Sequence, residues 1–330
     1  MRAVLVVVLV LAGLWGGYWF VGSRALEQGA AGWFAAQQGR PLLAEQRGIA
    51  VAGFPNRFDL TITEPRLTDS RSGIAWSAPF AQIFTMTWKP WHLIATLPQS
   101  QQITLPDQVL DLTSTLVQGS LVVTPGPDLA LDRSAIAGDG LALRSSAGWE
   151  LSLSSARIGT RRAADRALAQ DLGVELSNLT PDAGFRMALA QGSALPEQID
   201  LIRLDAVLGL SAPLDRHAAA THPRLTDITL REGLLRWGDL VLSASGDLAP
   251  AADGTPEGRI EIRVENWRKL IPVLIAAGLV TPESSQTVTR ALELYAAQGD
   301  DPDVLTLPLA FQQGRMSLGP LPLGPAPRLF

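Results

Sequence analysis

The chain has 330 residues, 47% apolar and 18% charged, with a formal net charge of −5. That length suits one large domain or two smaller ones, and its scattered basic residues exclude the clustered Lys and Arg that neutralise nucleic-acid phosphates. There is no Cys, which excludes disulfides, thiolate nucleophiles, Cys-ligated zinc and lipidation on a thiol.

From Ala3 to Gly22 no residue is charged. Such a run, about 20 residues or ~30 Å as a helix, matches the hydrocarbon core of a bilayer. Trp15, Tyr18, Trp19 and Phe20 gather towards its far end, where an aromatic belt meets the membrane surface. Residues 1–22 therefore read as an uncleaved transmembrane anchor. The competing reading is a cleaved signal peptide, with Val21-Gly22-Ser23 a poor cleavage site and the apolar run longer than a usual signal core. Arg2 precedes the span, and short positive tails stay in the cytoplasm. The expectation is a single-pass inner-membrane protein with the bulk of the chain in the periplasm.

Residues 23–38 read as a juxtamembrane helix, with Leu26, Ala30, Trp33 and Phe34 on one stripe and Gly39 and Pro41 ending it. From residue 39 to 330 the pattern is that of a β-rich domain. In GFPNRFDLTI, Gly53 allows a bend or a close backbone approach, and Pro55 suits a strand start. Phe58, Leu60 and Ile62 then alternate with polar residues, which puts Arg57 and Asp59 together on the opposite face. Trp76, Phe80, Phe84, Trp88 and Trp91 crowd sixteen residues; they suit a core, an apolar ligand or partner surface, or a membrane contact. No aromatic follows from His92 to Gly148, so that sheet face is aliphatic.

Pro125-Gly126-Pro127, Gly138-Asp139-Gly140, Ala147-Gly148 and Asp253-Gly254-Thr255-Pro256 mark turns. A short helix is expected over 160–170, and a soft division into two halves near 190–198. Ile260, Ile262 and Val264 form the cleanest alternating strand. Asn266 and Thr281 then read as caps of two helices, with Trp267, Leu270, Ile271 and Leu274 apolar on the first and Val288, Ala291, Leu292 and Tyr295 on the second. Leu305, Leu307, Leu309 and Phe311 form a last run, in which Pro308 suggests an edge or a strand end. The fold class expected is mainly β with a few helices, a β-rich α+β protein: an N-terminal transmembrane helix, antiparallel curved sheets of hairpins, and a C-terminal helical hairpin.

Patterns for chemistry are sparse. H-E-x-x-H, G-x-S-x-G and the Walker loop do not occur. His217 and His222 lie five apart in a small polar loop, and His92 follows Trp91 as a packed side chain. Asp300, Asp301 and Asp303 crowd a loop that can hold Ca²⁺ but reads better as a solvated turn. No catalytic residue, metal site or cofactor is expected, and the chain reads as a non-enzyme.

GFPNRFDLTI also resembles the signature of a bacterial envelope family, domain of unknown function 2125. The anchor, the segment Thr87-Trp88-Lys89-Pro90-Trp91-His92, GRIEIRVENW and LPLAFQQGRMSLGPLPLG share the resemblance, which covers most of the chain. It marks Gly53, Phe54, Pro55, Arg57 and Phe58 as a family-like motif. It implies a single-span protein with an exported β-rich domain, and carries no assigned activity or catalytic residues. A looser resemblance is to AsmA-like envelope proteins, through phrases such as SASGDLAPAADGTPEGRIEI; it implies sheets with an apolar inner face and a link to lipid traffic.

Three functions compete at this point. The first is a membrane-anchored periplasmic module that binds lipid or another apolar ligand. The alternative is a ligand-free scaffold or interaction protein of the envelope, and the third an envelope-acting hydrolase. The partners expected are the inner membrane and lipid or envelope proteins, with no nucleic acid.

Overall fold

The structure is a computed structural model that describes residues 1–190, 195–278, 280–297, 299, 301–319 and 321–329. Half of the chain is strand and 22% helix, with one long apolar helix at the N-terminus, as the β-rich reading expects. That helix, α1 (Arg2–Ala36), runs without a break through both the apolar segment and the juxtamembrane stripe. An α-helix rises ~1.5 Å per residue, so α1 is long enough to cross a bilayer core and continue beyond it. It ends where Gly39 takes φ +76 and Pro41 follows.

The chain forms two compact units. The first comprises Met1–Leu129 and Ser134–Gly148. It carries β1 (Leu42–Glu45), β2 (Gly48–Ala52), β3 (Arg57–Thr63), β4 (Arg66–Asp69), β5 (Ala75–Ser77), β6 (Phe80–Met86), β7 (Lys89–Leu97), β8 (Ser100–Thr104), β9 (Val109–Thr113), β10 (Leu116–Val123) and most of β11 (Leu131–Ser145). Two antiparallel ladders run through it. One is β2–β3–β6–β7–β10; the other is β1–β4–β5–β8–β9–β11. The alternation in β3 is real: Phe58, Leu60 and Ile62 are buried and their neighbours are not. Leu60, Ile62 and Ala44 pack on Phe34, with Leu26 and Ala30 beside them. The second half of α1 is thus a core element, each large side chain contributing ~1.5–3 kcal/mol by burial. Trp33 departs from the expected stripe. It is 45% exposed and meets Phe34 edge-on, since a helical position three residues after Ala30 turns away once Phe34 fills the groove.

The second unit comprises Ala130–Arg133 and Trp149–Phe330. Its elements are β12 (Glu150–Arg162), β13 (Ala169–Leu179), α2 (Ala183–Ala190), β14 (Ile199–Leu210), α3 (Ala218–Thr221), β15 (Leu225–Trp237), β16 (Leu240–Pro250) and β17 (Pro256–Glu265). There follow a 3₁₀ turn (Trp267–Lys269), α4 (Leu270–Ala276), α5 (Pro282–Ala296), β18 (Val304–Gln312), β19 (Arg315–Leu318) and β20 (Leu321–Pro325). From β12 to β20 each strand pairs antiparallel with the next. The meander is open: no pairing joins β20 back to β12 among the described residues. Helices α2, α4 and α5 cover one part of it over Trp237, Leu240, Val264, Leu305 and Leu307, with Trp267 fully buried at the centre. Elsewhere cross-strand ion pairs such as Arg161–Asp171 at 3.0 Å and Arg203–Glu175 at 2.9 Å line the meander.

Several local expectations are corrected. Residues 160–170 form no helix; β12 runs to Arg162 and pairs it with Gln170, while Ala163 and Ala169 are buried across the turn. The Ala- and Arg-rich composition favours helix, but strand pairing and the Arg166–Asp227 fork overrule it. Gly138-Asp139-Gly140 is no reversal. It lies inside β11, where Gly140 at φ +56 makes an irregularity whose absent side chain leaves room for Thr115. Asn266 does not cap a helix with its side chain; at φ +55 it donates from Nδ2 to Asp239 O at 2.8 Å. Thr281 does cap α5, its Oγ1 accepting from Ser284 N at 3.3 Å. Pro282 follows at the first helical position. On α5, Leu292 and Ala296 are buried, whereas Ala291 is exposed. Pro308 faces Glu261 on β17, and its carbonyl accepts from Gly319 N just past the end of the β18–β19 pairing. Pro308 is thus mid-strand in β18 and not at a strand end; its missing N–H faces the side where the pairing with β19 has stopped, which is the edge alternative. Within the division expected near 190–198, residues 191–194 lie outside the described residues.

Candidate functional site

The features most distinctive for function lie where α1 meets the first unit. Trp15, Tyr18, Trp19 and Gly22 follow i, i+3, i+4, i+7 spacing and so share one face of the helix. That face docks on the family-like motif. Trp15 Nε1 donates to Pro55 O at 3.0 Å, Trp19 Nε1 to Arg57 O at 2.7 Å, and Tyr18 Oη to Thr87 O at 2.8 Å. Phe58 stacks on Trp19 with ring centroids 6.0 Å apart, and Phe54 meets Trp19 edge-on at 5.4 Å and Phe20 at 5.8 Å. The large aromatic faces supply apolar contact while the indole and phenol heads find carbonyls left free by the loop.

Each residue of the motif has a distinct physical task. Gly53 sits at φ +98, and a Cβ there would lie 2.8 Å from Arg57 O and 3.0 Å from the Asp59 carboxylate. Phe54 and Pro55, joined by a cis peptide bond, carry the loop past the helix. Arg57 pairs with Asp59 at 2.6 Å and lies over the Phe84 ring at 5.9 Å, on the face opposite Phe58 and Leu60. Gly22 gives α1 the clearance to receive Phe58, since a Cβ at Gly22 would stand 2.6 Å from its ring. The loop and the β6–β7 turn are also tied together, because Thr87 donates from both N and Oγ1 to Asn56 O at 3.1 Å.

The structure does not gather the five aromatic residues of 76–91. Trp76 lies on β5 and donates to Gln101 Oε1 at 3.0 Å. Phe80 is exposed at the start of β6, and Phe84 sits on β6 under Arg57. Trp88 is 56% exposed at the tip of the β6–β7 turn. Trp91 lines an open pocket of about 430 Å³ together with Pro90, Leu93, Leu121, Val123 and Leu129. The two ends of this pocket's wall are brought side by side by the β7–β10 pairing, which sets Val122 opposite His92. Trp91 is four residues along the chain from Thr87, whose carbonyl Tyr18 holds.

The polar candidates resolve into local contacts. His92 Nε2 is 3.0 Å from Ser120 Oγ, as a packed side chain. His217 and His222 flank the short α3, with His222 Nδ1 3.0 Å from Ala220 O. Asp301 accepts from Asp303 N at 2.9 Å, and Asp303 pairs with Arg268 at 2.8 Å; Asp300 lies outside the described residues. No group of three or more metal-ligating His or carboxylate side chains occurs among the described residues. Backbone N–H groups of Glu150, Gly184 and Phe185 hold the Asp182 carboxyl below the usual range, as hydrogen bonds do for Asp69, Asp227, Asp239 and Asp253. The role of Asp182 is to fasten α2 to the start of β12.

Sequence reading missed the docking face of α1. The signal was the spacing of Trp15, Tyr18, Trp19 and Gly22, which continues into Leu26 and Ala30; an aromatic belt explains the same residues without it. A family model described as "Uncharacterized protein conserved in bacteria (DUF2125)" matches residues 19–327. No curated protein and no solved structure matches, so the AsmA-like resemblance stands on its sequence phrases alone.

Proposed function

The chain belongs to this DUF2125 family of bacterial proteins, and from that premise we propose that it is a single-pass, membrane-anchored envelope protein whose first unit binds a lipid acyl chain or a similar apolar molecule. The observation that carries this is the pocket beside Trp91, walled by Pro90, Leu93, Leu121, Val123 and Leu129. Its volume of about 430 Å³ falls in the ~300–1,000 Å³ range of small-molecule sites. Its lining suits a ligand recognised by shape and apolar contact.

The anchor reading has support of its own. Val4 to Leu14 present large apolar side chains that are all more than half exposed, as a helix bathed in lipid requires. Cleavage near Gly22 would strip Trp19 from Phe58 and uncover the β3 core, which favours a retained helix. Arg2 before the span orients the bulk of the chain to the periplasm. The role assigned is binding, not catalysis.

The test uses the full chain in proteoliposomes with a phospholipid bearing a diazirine on its acyl chain. Crosslinks are expected on residues 90–93 and 121–129 and reduced several-fold by Leu121→Trp, which fills the pocket. Crosslinks confined to residues 3–22 would overturn the binding reading and favour an envelope scaffold.

A further inference from the structure

We propose that the Gly53–Arg57 loop and the β6–β7 turn dip into the membrane leaflet from which α1 emerges, inserting Phe54 and Trp88 at the headgroup–acyl boundary. The proposal rests on α1 being a membrane anchor and adds what that reading leaves open: how the first unit sits against the bilayer.

The argument is one of level along the helix. The uncharged run of α1 ends at Gly22, and Arg24 is the first charge beyond it. Phe54 packs well before that point: a Cβ at Gly16 would lie 3.8 Å from its ring, and its ring centroid is 5.8 Å from that of Phe20. Gly16 is six residues deeper than Gly22, or about 9 Å at ~1.5 Å per residue. The β6–β7 turn is pinned at Tyr18. That position is four residues deeper than Gly22, or about 6 Å. Interfacial segments bury their apolar face to ~5–10 Å. Both tips therefore lie at membrane depth if α1 spans the bilayer with its full apolar length.

The chemistry of the tips agrees. Phe54 and Trp88 are each 56% exposed, and Met86 is 42% exposed between them in sequence. Residues 53–57 and 86–91 contain no acidic side chain, and each tip is followed by a cation, Arg57 or Lys89. Aromatic and apolar tips with cations at their margins match the acyl boundary and the phosphates above it. Because Asn56 and Thr87 are hydrogen-bonded, the tips enter as one piece rather than as two independent loops. The outer-leaflet lipid is thus the occupant, continuous with the lipid around α1.

The chain has no Cys, so single thiols can be placed cleanly. Full-length Phe54→Cys, Trp88→Cys, Leu14→Cys and Arg71→Cys variants, each labelled with an environment-sensitive fluorophore, are reconstituted in phosphatidylcholine–phosphatidylglycerol vesicles carrying spin-labelled lipid quenchers. Leu14 reports the anchor. Arg71, in the turn whose Ser70 N donates to Pro41 O beyond the far end of α1, reports the solvent side. Labels at 54 and 88 are expected to be quenched by the shallow spin label at least half as strongly as Leu14 is by the deep one, with 71 unquenched. Quenching at 14 with none at 54 and 88 overturns the insertion and leaves the anchor standing. No quenching at 14 overturns the anchor reading itself. Trp88→Cys changes an exposed tip, so its result stands even if Phe54→Cys perturbs the Trp19 contact.

Discussion

Gly22 and Gly29 lie two turns apart on α1 and should respond to the same substitution in opposite directions. A Cβ at Gly22 would stand 2.6 Å from the Phe58 ring, which is itself held by Trp19 and Tyr18. Gly22→Ala should therefore cost about 1–3 kcal/mol through overpacking. Nothing lies within 4 Å of a Cβ at Gly29. Gly29→Ala should therefore be neutral or stabilise by up to ~1 kcal/mol through helix propensity. Thermal unfolding of the full chain in detergent, followed by near-UV circular dichroism, separates the two. Equal shifts would mean that Phe58 does not rest on the helix. At this scale the motif was half legible. The positive φ of Gly53, the strand that begins at Arg57 and the Arg57–Asp59 pairing follow from residue type and alternation. The partner of Phe58 does not, because a contact so distant in sequence leaves no periodic mark.

Among the elements, β12 and α2 are joined through one carboxylate. Asp182 accepts from Glu150 N at 3.2 Å and Gly184 N at 2.7 Å, and these bonds lower its pKa. A carboxyl with a native pKa below its unfolded value of about 3.9 stabilises the fold fully above that value and loses the contribution as pH falls through the native one. Wild-type protein should therefore lose its advantage over Asp182→Asn on acidification below about pH 4, and a gap independent of pH would remove the carboxylate from the account. Strands carrying clean alternation, β3, β17 and β18, were legible because one face is buried and the period is strict. The turn at 163–168 and the irregularity at Gly140 were not. Local propensity and glycine pairs suggest helix or reversal there, and long-range strand pairing decides otherwise.

For the whole molecule, α1 is both a helix long and apolar enough to cross a membrane and a structural member of the first unit. Its first half exposes large apolar side chains, while its second half shares a core with β1 and β3. Between them lie the residues that do both, Trp15 to Gly22. Removing residues 1–22 deletes two hydrogen-bond donors to the loop carbonyls, one to the carbonyl of Thr87 in the β6–β7 turn, and the Trp19 stack on Phe58. It leaves Leu26, Ala30 and Phe34 in place. The loss of one large buried aromatic costs ~3–5 kcal/mol, and the effect should be local. Hydrogen exchange should accelerate at amides of β3 and residues 86–89, while β14 to β18, built around Trp267, keep their protection. Unchanged exchange at β3 would show that the helix merely passes by. The expected pattern explains why pocket and membrane-contact experiments belong on the intact chain. Cutting α1 at Gly22 disturbs the loop and the turn that leads directly into β7 and its pocket.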